Sequence, residues 1–157
     1  MKDKCQIIPC DFTNPDHCKA EIDLMREYMT DEMGGCEPLT DELNNKLIEG
    51  LKNATNALIF LAVYKNEFVG LTNSFINFAT FSVKKFINIH DVIVKKEFRG
   101  KGIGEKLIHE NIRYAADNGF SKVTLEVRND NNKAQNLYKK LGFNDCNPPM
   151  FYWVKYI

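Results

Sequence analysis

Between an apolar, strand-like segment ending at Val94 and an amphipathic stretch beginning near Ile103 lies the run Phe98-Arg99-Gly100-Lys101-Gly102-Ile103-Gly104. Glycine at alternate positions in a strand-to-helix connection lets the chain turn sharply and leaves its backbone unshielded, which suits a layout that alternates strands and helices. Without Cβ atoms, backbone N–H groups can converge on an anion, and the start of the following helix adds unpaired donors and the positive end of its dipole. Arg99, Lys101, Lys95 and Lys96 supply cationic charge in the same turn. Taken alone, the run also suits a turn that merely lets strand and helix pack closely. Two familiar phosphate motifs fail against it: a dinucleotide fingerprint needs glycine where Glu105 stands, and a P-loop needs a Gly-Lys-Ser/Thr sequence that is absent.

The rest of the chain predicts elements around this turn. Cys5 to Cys10 reads as an opening strand, and Asn14-Pro15-Asp16 as the capped start of a helix with inward positions Cys18, Ile22, Met25 and Met29, stopped by Gly34-Gly35. Thr40 caps a second helix with an inward stripe of Leu43, Leu47, Leu51 and Ala54. A meander follows, with strands over 57–64, 68–78 and 86–94 and a turn at Lys65-Asn66-Glu67. Beyond the glycine run come a helix from Ile103 to Asn118 (Ile103, Leu107, Ile108, Ile112 and Ala115 inward), a strand from Lys122 to Val127, a helix from Lys133 to Leu141, and a closing strand over Phe151 to Val154. Strands joined by a helical crossover run parallel and those joined by short turns antiparallel. The expected fold is therefore α/β with a mixed, mostly antiparallel sheet of about six to seven strands flanked by about four helices.

A chain of 157 residues, 44% apolar and 27% charged, suits one domain spanning 1–157. Five cysteines, odd in number and without a C-x-x-C pair, predict free thiols and a reducing, cytoplasmic setting. The longest apolar run, Ala57 to Tyr64, is far too short to cross a bilayer, and no signal-like stretch follows Met1 to Gln6, so neither membrane insertion nor export is expected. Cys10, His17 and Cys18 match no usual zinc spacing and lack a fourth ligand; no metal is expected. Net charge is zero, against a general nucleic-acid binder. That sum hides a gradient: residues 1–49 carry 5 basic and 12 acidic side chains, and residues 50–157 carry 16 and 9. An anionic cofactor on the later part and a cationic substrate near the earlier part would suit it, as would solvated faces that happen to segregate.

Arg99, Gly102 and Gly104 match the Arg/Gln-x-x-Gly-x-Gly/Ala signature, and the chain resembles the GNAT superfamily of N-acetyltransferases. The resemblance extends over about residues 86–143 and includes the apolar strand end Val92-Ile93-Val94 and the segment Asn131 to Phe143. It implies the GNAT fold, acetyl-CoA as co-substrate and a homodimer. It also implies a V-shaped opening between the strands ending at Val94 and near Val127, with the diphosphate on the backbone of Arg99, Gly100, Lys101, Gly102, Ile103, Gly104 and Glu105. Pantetheine would pair with the main chain of Val92, Ile93 and Val94 like an extra strand, the Val92 N–H would hold the thioester oxygen, and Asn131, Lys133, Ala134 and Tyr138 would line the other wall.

Acetylating an amine requires removing a proton from a lysine-like ammonium, which at pH 7 costs about 4 to 5 kcal/mol. The candidates are His90, which titrates near neutrality, and Asp91, able to orient it or hold the ammonium. Strand parity places His90 with Asn88 and Val92, and Asp91 on the other face with Ile89 and Ile93, unless a bulge intervenes. Locally the chain is similar to spermidine/spermine acetyltransferases, in which a carboxylate occupies the position aligned with His90. Tyr138 aligns with the tyrosine that many family members aim at the departing sulfur; a helix aromatic packing beside Leu137 and Leu141 is the plainer use. His109 is read as surface pairing with Glu105 and Arg113. The implied function is transfer of the acetyl group to a primary amine of a small cationic molecule, by direct attack in a ternary complex. Acetylation of a protein N-terminus or lysine, and non-catalytic sensing of acetyl-CoA, are the alternatives.

Overall fold

A computed structural model describes residues 4–157. The chain divides into two compact units, one ending at Glu126 and the other comprising Val127–Ile157. In the first unit the elements run β1 (Gln6–Pro9), α1 (Pro15–Thr30), α2 (Asp41–Asn53), β2 (Ala57–Tyr64), β3 (Glu67–Ala79), β4 (Lys84–Val94), a 3₁₀ turn (Lys96–Phe98), α3 (Ile103–Asp117) and β5 (Val123–Leu125). The five strands lie in the order β1-β2-β3-β4-β5. All pairs are antiparallel except β4 with β5, which α3 joins as a crossover and which is parallel. The expected mixed sheet is present.

Local chemistry accounts for the element ends. The Asn14 side chain accepts from the Asp16 amide, with Pro15 in the first turn where its missing N–H costs nothing. Thr40 accepts from the Leu43 amide, and Asp41 and Glu42 sit in the first turn of α2 against the positive end of its dipole. Lys65 and Asn66 both take positive φ, as a two-residue hairpin requires.

Each sheet face carries its own core. Phe60, Ala62, Val69, Ile103 and Leu107 pack on the α3 side, with Cys5; Ala20, Leu24, Met25, Leu61, Leu71 and Ile93 pack on the α1 side. Burying each large aliphatic side chain stabilises the fold by about 1.5 to 3 kcal/mol. Between these cores β3 carries a polar run, Thr72-Asn73-Ser74, at most 3% exposed. On the α3 side Ser74 donates to Asn111 Oδ1 at 2.8 Å, and Asn111 Nδ2 donates to Thr72 Oγ1 at 3.0 Å and to the Leu107 carbonyl at 2.9 Å.

Four expectations change. The sheet has five strands, and Phe151–Val154 is not one of them, because aromatic β-preference is a packing preference that makes no strand without a ladder. The buried face of α1 is Ala20, Glu21, Leu24 and Met25, rotated from the Cys18-Ile22-Met25-Met29 stripe, since a polar partner on β3 receives Glu21. In α2 and α3 the amides Asn44 and Asn111 take buried positions, while Leu43 is 44% exposed and Ile112 only half-buried. Arg113 pairs with Glu110 and Asp117 rather than with His109.

Among the described residues no helix is long and apolar enough to cross a membrane. Val127–Ile157 contains one helix, α4 (Asn132–Lys140), and no strand.

Two glycines respond oppositely to a methyl group. A Cβ at Gly70 would lie 2.6 Å from the Ile93 carbonyl oxygen in the adjacent strand, whereas one at Gly50 in α2 would meet nothing within 4 Å. Gly50→Ala is expected to stabilise the protein by about 0.5 to 1 kcal/mol through helix propensity. Gly70→Ala is expected to destabilise it by about 1 to 3 kcal/mol through overpacking. Urea denaturation of both variants measures the contrast.

Candidate active site

The site begins with β4, whose outer edge is only partly covered. Its pairing with β5 covers Ile87↔Val123, Asn88↔Thr124 and Ile89↔Leu125, and stops there. At the other end of β4 the Lys95 amide donates to the Val69 carbonyl, so Lys95 points its backbone toward β3. Backbone groups alternate along a strand, so Val94 and Val92 aim theirs away from β3, at the edge that β5 leaves open. The Val94 carbonyl accepts from Arg99 Nε at 2.9 Å. Ile93 points its side chain into the α1-side core, 2% exposed.

The pairing of β3 with β4 slips by one residue between Asn73↔Asp91 and Ser74↔Ile89, leaving His90 as the extra residue of a bulge. This overturns the simple parity of the strand. Ser74 faces α3 and its cross-strand partner Ile89 shares that face; Asn73 faces α1, and so does Asp91. Ile89 and Asp91, two positions apart, therefore lie on opposite faces. His90 packs edge-on against Phe75, 4.8 Å between ring centroids, and Phe75 shares the Asn73 face of β3. The bulge brings both base candidates to the α1 side, His90 exposed and Asp91 half-buried.

Two residues that the sequence reading did not single out for chemistry complete this cluster. Asn73 Nδ2 donates to Glu21 Oε1 at 2.8 Å and lies 3.3 Å from Asp91 Oδ2 and 3.4 Å from Met25 Sδ. Burial pushes the Glu21 carboxyl up to about 7, with the Asp91 charge adding to it and the Asn73 hydrogen bond opposing. Burial likewise raises Asp91 above the ordinary carboxylate range, opposed by the Asn73 hydrogen bond and by His90. The available signal was the polar run Thr72-Asn73-Ser74 in the middle of an otherwise apolar strand, which demands polar partners on both faces.

Gly100 and Gly102 adopt φ of +76° and +75°, where a side chain is strained. Gly102 is the N-cap of α3, so no side chain caps the helix and its first-turn amides, from Ile103 and Gly104 on, lie behind a left-handed glycine; Glu105 is in that turn. The Ile103 side chain is buried in the core. Arg99 Nη2 pairs with Asp31 Oδ2 at 2.8 Å, bracing the loop against the end of α1. The Met33 amide, burial-opposed, and the Arg99 guanidinium hold Asp31 below the usual carboxylate range. Lys101 Nζ stands 4.8 Å from the Phe98 ring centroid. The Lys96 amide donates to Glu27 Oε1 at 2.8 Å, and Glu27, Thr30, Asp31, Glu32, Lys96 and Arg99 line an open cleft of about 320 Å³.

In the second unit, Asn131 Oδ1 accepts from the Ala134 amide at 3.1 Å and so caps α4, with Lys133 in the first turn. Gln135 Nε2 ties the helix back to the Arg128 and Asn129 carbonyls. The Tyr138 ring lies tilted on Phe143, 6.0 Å between centroids, and the Phe143 amide donates to the Tyr138 carbonyl.

Comparison with known proteins identifies the family and the fold. The model of the acetyltransferase (GNAT) family matches residues 22–143. The uncharacterized N-acetyltransferase YhfO of Bacillus subtilis is 32% identical over 89 residues, 57% of this chain and 60% of that protein. The thialysine N-epsilon-acetyltransferase of Bos taurus is 44% identical over 59 residues, 38% of this chain and 35% of that protein, so the chain spans less than two thirds of each relative's length. The structure of an aminoglycoside N-acetyltransferase, AAC(6')-Iy, in complex with CoA superposes with a TM-score of 0.77 at 16% identity, covering 99% of this chain and 97% of that one; the two share a fold. With a family match across most of its length, the chain belongs to the GNAT family of acetyltransferases.

Proposed function

We propose that the protein transfers the acetyl group of acetyl-CoA to a primary amine of a small cationic molecule, by direct attack in a ternary complex, with residues on both sides of Glu126 contributing to one functional domain. The observation that carries this reading is the edge of β4 that β5 leaves unpaired beside the bulge: Val92 and Val94 turn their main-chain groups outward where β5 has ended, the Val94 carbonyl accepting from Arg99, and His90 and Asp91 lie immediately before them. An extended amide-bearing chain pairs with such an edge as a strand would. In this reading the Val92 N–H, on that edge, donates to the thioester oxygen and stabilises charge developing there. The backbone from Gly100 to Glu105 and the uncapped start of α3 take the diphosphate, with Lys101 adding charge and Arg99 holding the loop to Asp31.

The acetyl thioester, when bound, supplies an acyl carbon open to attack by an amine. The chain's own residues must position that amine and remove its proton. Asp91 is the group we assign to the proton: its carboxylate is half-buried on the α1 side, and burial raises its affinity for a proton. The ammonium N–H bond breaks, the proton passes to Asp91, and the electron pair stays on nitrogen. His90 stands beside it against Phe75 and borders the acceptor. Tyr138 delivers a proton to the departing sulfur; a phenol of pKa about 10 and a thiol of about 8.5 are close enough for the transfer. Asn131, Lys133 and Ala134 are assigned to acetyl-CoA by the family resemblance alone. Acidic residues dominate the first 49 positions, favouring a cationic acceptor, and the names of the thialysine and aminoglycoside relatives support a small amine. The homodimer and the cytoplasmic setting belong to the same proposal.

Two measurements test it. Acetyl-CoA at a hundredfold over its Kd is expected to add about 2.7 kcal/mol of stability, or about 2 to 4 °C in Tm for each kcal/mol. Absence of any rise removes the co-substrate. In a CoA-release assay over a panel of amines, Asp91→Asn is expected to lower kcat by about a hundredfold to ten-thousandfold. Wild-type kcat/KM rises with pH as Asp91 loses its proton, and that limb lies above the ordinary carboxylate value because burial raises it. Tyr138→Phe slows turnover and leaves the acetyl-CoA-induced rise in Tm intact. Binding without turnover of any amine would identify a sensor instead.

A further inference from the structure

Glu21 is fully buried, and one of its oxygens, Oε2, has no hydrogen-bond partner; neither has Asn73 Oδ1, in a residue 3% exposed. Leaving a buried acceptor unpaired costs about 1 to 3 kcal/mol. Here the two orphans belong to an acid and a primary amide that already share one hydrogen bond, Asn73 Nδ2 to Glu21 Oε1. A carboxylic acid and a primary amide form a cyclic pair through two hydrogen bonds, and a proton on Oε2 donated to Oδ1 would supply the second and give both orphaned oxygens a partner. The remaining hydrogen of the Asn73 amide is left for Asp91 Oδ2 and Met25 Sδ.

We propose that Glu21 is a positioning residue that enters the site as a neutral carboxylic acid, and that its cyclic pairing with Asn73 holds the amide in the orientation that presents an N–H to Asp91. This rests on the assignment of Asp91 as the group that takes the amine's proton. The arrangement is a base steered by a third group through an intervening one, with an amide in the middle place.

The surroundings favour the neutral form. From β4 the charged group acting on Glu21 is Asp91, with His90 beside Asp91, and from the segment after β1 the titratable group coupled to Glu21 is the Cys10 thiol. The Cys10 thiol is pushed up to about 12, chiefly by burial with Glu21, Cys18 and Asp11 adding, and remains uncharged at neutral pH. The buried residues of α2 are Asn44 and Leu51, neither ionisable. The nearest formal charge acting on Glu21 is thus another carboxylate, and two carboxylates joined through one amide do not both ionise readily. Because the folded value, about 7, lies above the ordinary 4.5, Glu21 contributes stability that is complete below the ordinary value and is lost as pH rises through about 7.

Infrared difference spectroscopy of the full chain, titrated between pH 5 and 8.5, is the first test, and it needs no substrate. A protonated-carboxyl carbonyl band that titrates near neutrality is expected in the wild type and in Asp91→Asn, and is expected to vanish in Glu21→Gln. If Glu21→Gln leaves the band unchanged, Glu21 is ionised and the proposal falls. The second test is the decline of Tm over the same range, which should become shallower in Glu21→Gln; an unaltered slope counts against the proposal. The third is kinetic. Glu21→Leu is expected to lower kcat about tenfold to a hundredfold with KM for acetyl-CoA unchanged. Glu21→Gln, whose amide can form the same cyclic pair without a charge, should restore most of it. Equal losses in the two variants would show that the site needs a charged carboxylate at position 21 and overturn the proposal, and no loss in either would make the pair purely structural. A wild-type protein that acetylates none of the amines would fail the assigned function, while the infrared band would still decide whether Glu21 carries a proton.

Discussion

One extra residue in β4 governs the chemistry of the first unit. A strand that alternated without interruption would keep Asp91 on the face of Ile89, against α3 and away from the helix that carries Glu21. The slip at His90 turns Asp91 to the α1 side and leaves His90 on the same side against Phe75. It also falls where β5 stops pairing, so the backbone groups of Val92 and Val94 emerge at an edge that no strand of the sheet has taken. Bulges cost ladder hydrogen bonds and persist where they re-aim side chains or end pairing. Here a single bulge does both.

The neighbouring strand has to support that irregularity from inside the core. Thr72, Asn73 and Ser74 place polar groups on both faces of the central strand β3, where an unpartnered group is expensive. On one face Asn111 closes a network with Ser74 and Thr72. On the other, Asn73 turns to Glu21 and Asp91, and the network is incomplete, with one oxygen left over on each of Glu21 and Asn73. The satisfied network lies on the α3 side, and the incomplete one lies beside Asp91. A buried polar group with spare hydrogen-bonding capacity at such a place is consistent with a site whose protonation changes during its work.

Much of this was legible in the residues. The caps at Asn14 and Thr40, the two-residue turn at Lys65-Asn66, the crossover through α3 and the glycine loop all follow from short-range rules, in which a residue and its neighbours two to four positions away settle the conformation. So His90, Asp91, Val92 and Val94 could be named from their place in a strand ahead of that loop. Glu21 could not. On a helical wheel it reads as one acid among several on an acidic stretch, and the apolar stripe points one residue aside. Asn73 and Asn111 were missed for the same reason: a buried amide is set by a partner 37 to 52 positions away in sequence. Phe151 to Val154 erred in the opposite direction, since strong β-forming composition is not a ladder.

The sequence by itself determined the order of the elements, their ends, the direction in which successive strands run, and the glycine backbone at the start of α3, because caps, turns and hydrophobic periods act over a few residues. The tertiary structure decided which face of β4 Asp91 occupies, which residues of α1 are buried, how Arg99 pairs with Asp31, and that Glu21 and Asn73 stand next to Asp91. Those outcomes depend on register between strands and on packing of helices against the sheet. Register is a pairwise property of segments far apart in the chain, and a shift of one residue reverses every side chain beyond it.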